Sequence, residues 1–228
     1  MARAKKRPYE SPLREAQARS TRLLVLDAAR RLFAEQGYGA TSIDEIARAA
    51  GVGRATVFAS VGGKPVLLKQ AYDTGIVGDD RAVSLVERPR SQAILAEPDP
   101  WRLLAGYAEL ATEISGRIAG IYEVVRQASG ADAEARALWA EILRQRRAGM
   151  DNLIRGLASK GPLRPGLDRK SAADLAWVLV DPWHYHMLVQ QSGWTPAQYQ
   201  GWLTDMLQSQ LLPARQSNRR SRTGDGAR

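Results

Sequence analysis

The side chains of this sequence that could carry out catalysis are few, and their spacing argues against an enzyme. The chain contains no cysteine, and its two histidines are His184 and His186. Residues two positions apart on a helix do not face each other, so these histidines are poorly placed to bind one metal ion together. No standard glycine-rich phosphate loop and no motif of a serine nucleophile accompanies them. We therefore expect no enzyme, no cofactor and no metal site, although a Ser-His-Asp triad without a motif stays open.

Polar side chains with a different chemistry lie in the stretch AGVGRATVFASVGGK, residues 50–64. Gly51 permits a tight turn, and Val57 and Val61 are spaced as the buried residues of a short helix that follows this turn. The polar residues of the stretch then face outward: Arg54, Thr56, Ser60 and Lys64. Cations and hydroxyls at the exposed start of such a helix suit the phosphates and base edges of a DNA major groove. The alternative for these residues is an ordinary solvated helix surface.

Two predicted helices precede this stretch and would position it. Apolar residues recur at helical spacing from Val25 to Phe33, and the glycines of the GYGA segment, residues 37–40, are expected to end that helix. Thr41 or Ser42 is placed to cap the next helix, because acidic residues follow three positions later in the capping-box pattern. The second helix is too short to be stable alone, so we expect the three helices to fold as one unit.

The net charge of +9 lies entirely in the two ends of the chain. Residues 1–22 carry seven Lys or Arg and two Glu, and residues 213–228 carry five Arg and one Asp. Segments of this composition cannot bury enough apolar surface to fold, so we expect a disordered basic arm over residues 1–19 and a disordered basic tail over residues 213–228. A basic arm beside a DNA-binding unit would neutralise phosphates, whereas the tail suits a solubilising role equally well.

Residues 23–72 resemble the DNA-binding domain of the tetracycline-repressor (TetR) family of bacterial transcriptional regulators. The resemblance holds over the run AARRLFAEQGYGATSIDEIARAAGVGRATVFASVGGKPVLLKQAY, which begins at residue 28. It continues in YDTGIVGDD, ERP, LAEPDP, ALWAEI, GPLRPGL and SGWTP, which are similar to one actinobacterial-type subgroup, so that it covers roughly residues 20–212. It implies an all-α protein with a helix-turn-helix DNA-binding domain over residues 20–75 and a helical effector-binding and dimerisation domain over residues 76–212.

The resemblance also implies a DNA-contacting surface at the starts of the second, third and fourth helices. The residues of this chain at those positions are Thr41, Ser42, Arg54, Ala55, Thr56, Phe58, Ser60 and Lys64. The family usually has a tyrosine where this chain has Phe58, a histidine at Ser60 and an aromatic residue at Val61. The phosphate contact of that tyrosine hydroxyl is missing here, while Lys64 at a helix N-terminus offers a cation beside backbone N–H groups.

The larger C-terminal part is predicted to be helical throughout. Candidate helices cover about residues 100–117, 118–129, 132–159, 168–191 and 195–211, with Gly and Pro in two of the gaps. The family has an effector pocket in this part, and we expect its ligand to contact aromatic residues and histidines: Tyr107, Tyr122, Trp139, Trp183, His184, Tyr185 and His186. Pro182 interrupts a helix there and can open it toward a cavity. Ordinary core packing is the alternative for each of these rings.

The last two helices are predicted to form a dimer interface. The run LAWVLV is apolar on all sides, and the final helix carries a wide apolar stripe. In the resembled family these helices pair with their copies in a four-helix interface. The expected contact residues are Trp177, Tyr199, Trp202, Leu203, Met206 and Leu207. Burial in the core of one subunit is the alternative.

The function expected from these patterns is regulation of transcription. We expect a cytoplasmic, ligand-responsive repressor that acts as a homodimer on a palindromic operator. Its partners would be double-stranded DNA, a second copy of the chain and an unidentified small-molecule effector, with no membrane, because the longest apolar run is far below the roughly 18 residues of a membrane-spanning helix. The alternatives are a DNA-binding regulator without a ligand and, less favoured, a helical enzyme or protein adaptor.

Overall fold

The computed structural model describes residues 12–79 and 83–215, and all regular elements within them are helical. This confirms the predicted all-α class. The helices are α1 Pro12–Ala40, α2 Ile43–Ala49, α3 Arg54–Ser60, α4 Lys64–Val77, α5 Pro89–Ala96, α6 Pro100–Ala128, α7 Ala133–Ala158, α8 Arg169–Leu179, α9 Pro182–Tyr185 and α10 Pro196–Leu211. A 3₁₀ turn, Leu85–Glu87, precedes α5, and a π-helical turn, His186–Gln191, continues α9. In the described part of the chain, no helix is both long and apolar enough to cross a membrane.

Helices α1 to α4 form the N-terminal unit, and its core contains the predicted apolar residues. Val25, Phe33, Ile46 and Val57 are all fully buried. Gly37 adopts φ 82° and ψ 164°, which interrupts the regular helix where the glycine was predicted to end it. The arm was expected to be disordered as far as residue 19, but α1 begins at Pro12, and residues 13–19 are exposed in its first turns. The rest of the arm, residues 1–11, lies outside the described residues, as does the tail from residue 216 onward.

Helix α6 is one continuous helix of 29 residues, whereas two helices meeting near residue 117 were expected. Its glycines permit close packing and do not end the helix. A Cβ on Gly120 would lie 3.1 Å from the Cβ of Ala34 in α1, and one on Gly116 would lie 3.2 Å from the Tyr185 hydroxyl. Small residues at these positions therefore let α1 and α9 approach the backbone of α6.

The predicted helix over residues 168–191 is divided in the structure. Helix α8 ends at Leu179, and Asp181 caps α9 by accepting a hydrogen bond of 2.9 Å from the backbone N–H of Trp183. Pro182 follows at the first position of α9, where its missing N–H has no helical partner to lose. The proline therefore starts a new helix, and the chain continues through the π-helical turn to Gln191.

The N-terminal unit shares a hydrophobic core with the C-terminal bundle. One cluster of buried residues runs from α1 and α4 into α6 and α7, and the rings of Tyr72 and Tyr122 lie 6.5 Å apart within it. The Arg117 guanidinium of α6 donates hydrogen bonds of 2.8 and 3.2 Å to the carbonyls of Gly75 and Ile76 at the end of α4. A displacement at the end of α4 is therefore resisted directly by α6.

Candidate nucleic-acid interface and effector region

The helix-turn-helix is built by α2, α3 and the turn between them. Ser42 caps α2 reciprocally with Glu45, because its hydroxyl accepts from the Glu45 N–H at 3.2 Å while the Glu45 carboxylate accepts from the Ser42 N–H at 2.8 Å. These hydrogen bonds from Ser42 hold the pKa of Glu45 below its ordinary value. Gly51 has φ 68° in the turn, where a side chain would be strained. The capping box and the turn are thus present as predicted.

The prediction that the Thr41 side chain contacts DNA is wrong. The residue is 1% exposed, and its hydroxyl points to two carbonyls of α1, those of Leu32 at 3.2 Å and Gly37 at 2.9 Å. A buried hydroxyl needs such partners, and these partners lie in the same unit. Thr41 therefore fixes the start of α2 to the end of α1. Ser42, its neighbour, is exposed, although its hydroxyl already takes part in the cap.

Helix α3 presents its predicted polar face to solvent. Arg54, Ala55 and Thr56 at its start are exposed, while Val57 is fully buried and Ser60 is half-buried. The hydroxyl of Ser60 donates to the carbonyl of Val57 at 3.2 Å, within its own helix. The register predicted from the two valines is therefore confirmed, and the exposed start of α3 is free to approach a duplex.

Arg54 is held by two neighbours on this surface. One of its terminal nitrogens lies 2.7 Å from a carboxylate oxygen of Asp44 in α2, and its guanidinium carbon lies 5.5 Å from the centre of the Phe58 ring. Arg54 and Asp44 side chains are 57% and 59% exposed, so the ion pair is weak and easily exchanged for a phosphate or base. Phe58 is 46% exposed and therefore belongs to the solvent face of α3.

Lys64 begins α4 beside the aromatic ring of Tyr38. Its ammonium nitrogen lies 4.4 Å from the ring centre and donates a 3.3 Å hydrogen bond to the Gly39 carbonyl. Burial lowers the pKa of Lys64, and burial together with Asp132 and Glu134 raises the pKa of Tyr38 to about 12. Tyr38 therefore stays uncharged near neutral pH, and Lys64 places its amino group at a helix N-terminus, where a phosphate contact is favoured.

The residues predicted to bind a ligand do not converge on one cavity. Tyr122 is buried in the bundle with Trp139 at 5.0 Å between ring centres. Trp183 and His186 stack on each other at 5.1 Å on a different side of α9. The other three lie elsewhere: His184 packs edge-on against Trp202, Tyr185 packs edge-on against Tyr199, and Tyr107 packs against a separate cluster of buried residues from α6, α7, α8 and α10. The seven residues thus form separate groups around α6 and α9.

A polar network in the bundle was not foreseen from the sequence. The Tyr122 hydroxyl donates to Asp181 at 3.1 Å and accepts from Arg146 at 2.9 Å. Arg146 also pairs with Asp181 at 2.8 Å and donates to the Trp177 carbonyl at 3.0 Å. Burial, more than any charge, raises the pKa of Tyr122, so its hydroxyl stays protonated. Asp181 before a proline has the sequence pattern of a helix cap, but nothing local in the sequence indicates its pairing with Arg146.

Three of the six residues predicted for a dimer interface are wrong. Tyr199, Leu203 and Leu207 are fully buried, because α10 turns this i, i+4 row toward α6 and α8 of its own chain. The neighbouring row of Trp202 and Met206 is partly exposed. Trp177 in α8 is also partly exposed, and its indole N–H is buried without a hydrogen-bond partner among the described residues. The predicted stripe therefore combined an inner and an outer face of one helix.

Comparison with known proteins identifies the N-terminal unit. Residues 25–71 match the family model "Bacterial regulatory proteins, tetR family". This range extends from the buried part of α1 to α4 and contains the whole helix-turn-helix. A search of curated proteins finds no match to the chain.

Solved structures of bacterial regulators share the fold of nearly the whole chain. The fatty acid degradation regulator FadR from Bacillus halodurans superposes with a TM-score of 0.66 at 20% identity, covering 89% of this chain and 96% of that one. FadR from Bacillus subtilis, solved with stearoyl-CoA, gives 0.61 at 20% identity over 81% and 96%. NalD, the secondary repressor of the MexAB-OprM multidrug efflux pump in Pseudomonas aeruginosa, gives 0.59 at 23% identity over 84% and 96%.

The family match and the shared fold agree with the geometry of α2 and α3. The matched range holds the exposed start of α3, its buried valine and the turn that joins it to α2. The C-terminal helices continue the fold of the compared regulators beyond that range. Residues 25–71 are therefore similar to the bacterial regulatory proteins of the tetR family, and the chain shares the fold of the compared regulators.

Proposed function

We propose that the protein is a repressor that binds a palindromic operator as a homodimer and releases it when a small molecule binds. The observation that supports sequence-specific DNA binding is that α3 has one buried face and one exposed face. Val57 fixes the inner face of this helix in the core, so that Arg54 and Thr56 are held outward at its start. A side chain at the start of the second helix of a helix-turn-helix reaches the base edges of the major groove.

The homodimer is supported by the outer faces of α8 and α10. Val178 of α8 is 53% exposed, and Trp177 of α8 and Trp202 and Met206 of α10 are partly exposed. Large apolar side chains that remain accessible on two neighbouring helices suit an interface with a second copy. A two-fold dimer would also place two α3 helices on two half-sites of one operator.

Ligand response is supported by the way the two parts of the chain are joined. Helices α1 and α4 share buried residues with α6, and Arg117 ties the end of α4 to that helix. A ligand with different affinities for two arrangements of α6 and α1 would shift the separation of the α3 helices. Structures of this fold accommodate small molecules, as the stearoyl-CoA complex of the Bacillus subtilis regulator demonstrates for that protein.

A footprint of the purified protein on the DNA upstream of its own gene tests the proposal. We expect protection of a site with two-fold symmetry, with half-sites about one helical turn or a multiple of it apart. The footprint should persist in excess unrelated DNA, since base contacts give specificity beyond phosphate binding. Protection of all DNA to the same extent would overturn the assignment of α3 as a sequence-reading helix.

A further inference from the structure

Asp44 is an exposed carboxylate that pairs with the start of α3. It lies in the first turn of α2, and its side chain is 59% exposed. The next residue, Glu45, completes the cap of α2 with Ser42, so this cap does not need the carboxylate of Asp44. Among the described residues, Asp44 accepts its hydrogen bond from the Arg54 guanidinium, with 2.7 Å between Nη1 and Oδ2. Asp44 is therefore bound to the arginine that is proposed to read DNA.

Phe58 contacts the same guanidinium. Its ring centre lies 5.5 Å from the guanidinium carbon of Arg54, within the range of a cation–π contact. The contact with Phe58 is within α3, whereas the ion pair with Asp44 joins α3 to α2. An arginine side chain that is already restricted by two partners loses less conformational entropy when it binds DNA.

A carboxylate on a DNA-binding surface carries a cost. The phosphate backbone repels it in every duplex, whatever the base sequence. Repulsion of this kind lowers the affinity for operator and unrelated DNA alike, so it cancels from the ratio of the two affinities. An effect of Asp44 on that ratio must therefore arise through its partner Arg54.

The two kinds of DNA group that Arg54 can bind differ in what they demand of Asp44. A guanine edge is uncharged and accepts two hydrogen bonds, at O6 and N7. A guanidinium has five N–H donors, and Arg54 uses one terminal nitrogen for Asp44, so the ion pair can persist beside a base. A phosphate is an anion, and an Arg54 that turns to it leaves the Asp44 carboxylate unpaired next to the backbone. Asp44 therefore favours the base over the phosphate.

We propose that Asp44 is a positioning residue that raises the sequence preference of α3, because it holds Arg54 for base edges and disfavours its contact with phosphates. This inference rests on the proposed DNA-binding function and names a residue that determines its selectivity. Asp44 contacts no base in this mechanism and acts through its ion pair with Arg54. The consequence is weaker binding to unrelated DNA and a higher ratio of operator affinity to random-DNA affinity.

Fluorescence anisotropy of full-length variants on the footprinted operator and on a random duplex tests this role. Asp44→Asn removes the charge with little change of shape, and Asp44→Glu retains the charge. The matched control is Asp73→Asn, which removes the carboxylate that pairs with Lys69 on α4 and changes the net charge by the same amount. Circular dichroism melting curves verify that the variants are folded.

The largest change is expected on random DNA. Asp44→Asn should bind the random duplex about threefold to tenfold more tightly than Asp73→Asn does, with operator affinity within about twofold of that control. The slope of log affinity against log salt on random DNA should steepen by roughly 0.9, because Arg54 gains a phosphate contact. Asp44→Glu should keep the wild-type ratio of the two affinities. In an Arg54→Ala background, Asp44→Asn should leave the ratio unchanged.

Two results would overturn the inference. Gains for Asp44→Asn that are equal on both duplexes and match those of Asp73→Asn would make Asp44 an ordinary surface charge. A fall in the ratio of the same size in the Arg54→Ala background would mean that Asp44 acts on DNA without Arg54. A wild-type protein with no preference for the operator would instead refute the proposed sequence-specific function, so the two failures are distinguished.

Discussion

The surface of α3 and the polar network of the bundle both rest on an arginine–aspartate pair, yet the two pairs are built in opposite ways. The Arg54 and Asp44 side chains are more than half exposed, so the Arg54 guanidinium is accessible to solvent. Arg146 and Asp181 are 13% and 26% exposed, and Tyr122 and a backbone carbonyl take further hydrogen bonds. An exposed pair is exchanged at small cost, whereas a mostly buried pair leaves an uncompensated charge when one partner is lost. The first pair is therefore suited to recognition and the second to holding the bundle together.

Removal of the buried arginine is expected to have the largest effect. Arg146→Met leaves Asp181 without its cation, so we expect a loss of about 2–4 kcal/mol in the free energy of unfolding, reduced from the fully buried case by partial solvent access. Urea denaturation followed by circular dichroism measures it. The matched control is Arg147→Met, whose ion pairs with Asp151 and Asp174 are more exposed and should contribute at most about 1 kcal/mol. Equal losses in the two variants would contradict the distinction.

The two faces of α10 offer a second contrast between a buried and an exposed position. Met206→Glu places a charge on the partly exposed face, so we expect a folded chain with a weakened dimer, by about 2 kcal/mol or more. Leu203→Glu places the same charge in the core of the subunit and should unfold it. Analytical ultracentrifugation and circular dichroism separate these outcomes. A dimer of undiminished stability in Met206→Glu would show that the outer face of α10 is not an interface.

Substitution of the exposed Arg54 should weaken DNA binding and leave the free energy of unfolding unchanged. Arg54→Ala is expected to lose about 1–3 kcal/mol of operator affinity if its guanidinium pairs with a guanine edge, with relaxed preference at that base. The control Lys69→Ala removes an exposed cation that pairs with Asp73 on α4, away from the start of α3. Fluorescence anisotropy on operator and random duplexes measures both. An equal loss of Arg54→Ala on all sequences would make Arg54 a phosphate contact.

Local patterns in the sequence predicted the N-terminal unit far better than the C-terminal bundle. The capping box at Ser42, the glycine of the turn and the spacing of Val57 and Val61 are short-range signals, and the structure has each of them. The family resemblance placed Thr41 on the DNA surface, but its burial depends on how α1 ends and packs, which no local pattern shows.

Long-range packing explains the errors in the C-terminal part. Tyr199 and Trp202 both belong to one apolar stripe, and only the position of α6 decides which of them is buried. Two helices meeting near residue 117 were predicted, yet α6 continues through Gly116 and Gly120, which lie in close contact with Tyr185 and Ala34. The pair of Arg146 and Asp181 joins α7 to the cap of α9, and a contact between such distant positions leaves no trace in a single sequence.

The smallest expected effect concerns Phe58, the exposed ring beside Arg54. The ring is 46% exposed on the solvent face of α3, so a tyrosine hydroxyl at this position would reach solvent or a nearby phosphate without entering the core. Phe58→Tyr should therefore strengthen DNA binding by about 0.5–1.5 kcal/mol, the net value of one added hydrogen bond. Because a phosphate contact positions a protein without reading its sequence, the gain should be similar on operator and random DNA. The control Ala59→Ser adds a hydroxyl at the adjacent exposed position and should change neither affinity. A gain on the operator alone would mean that residue 58 contacts a base, and no gain on either duplex would place its ring away from the DNA backbone.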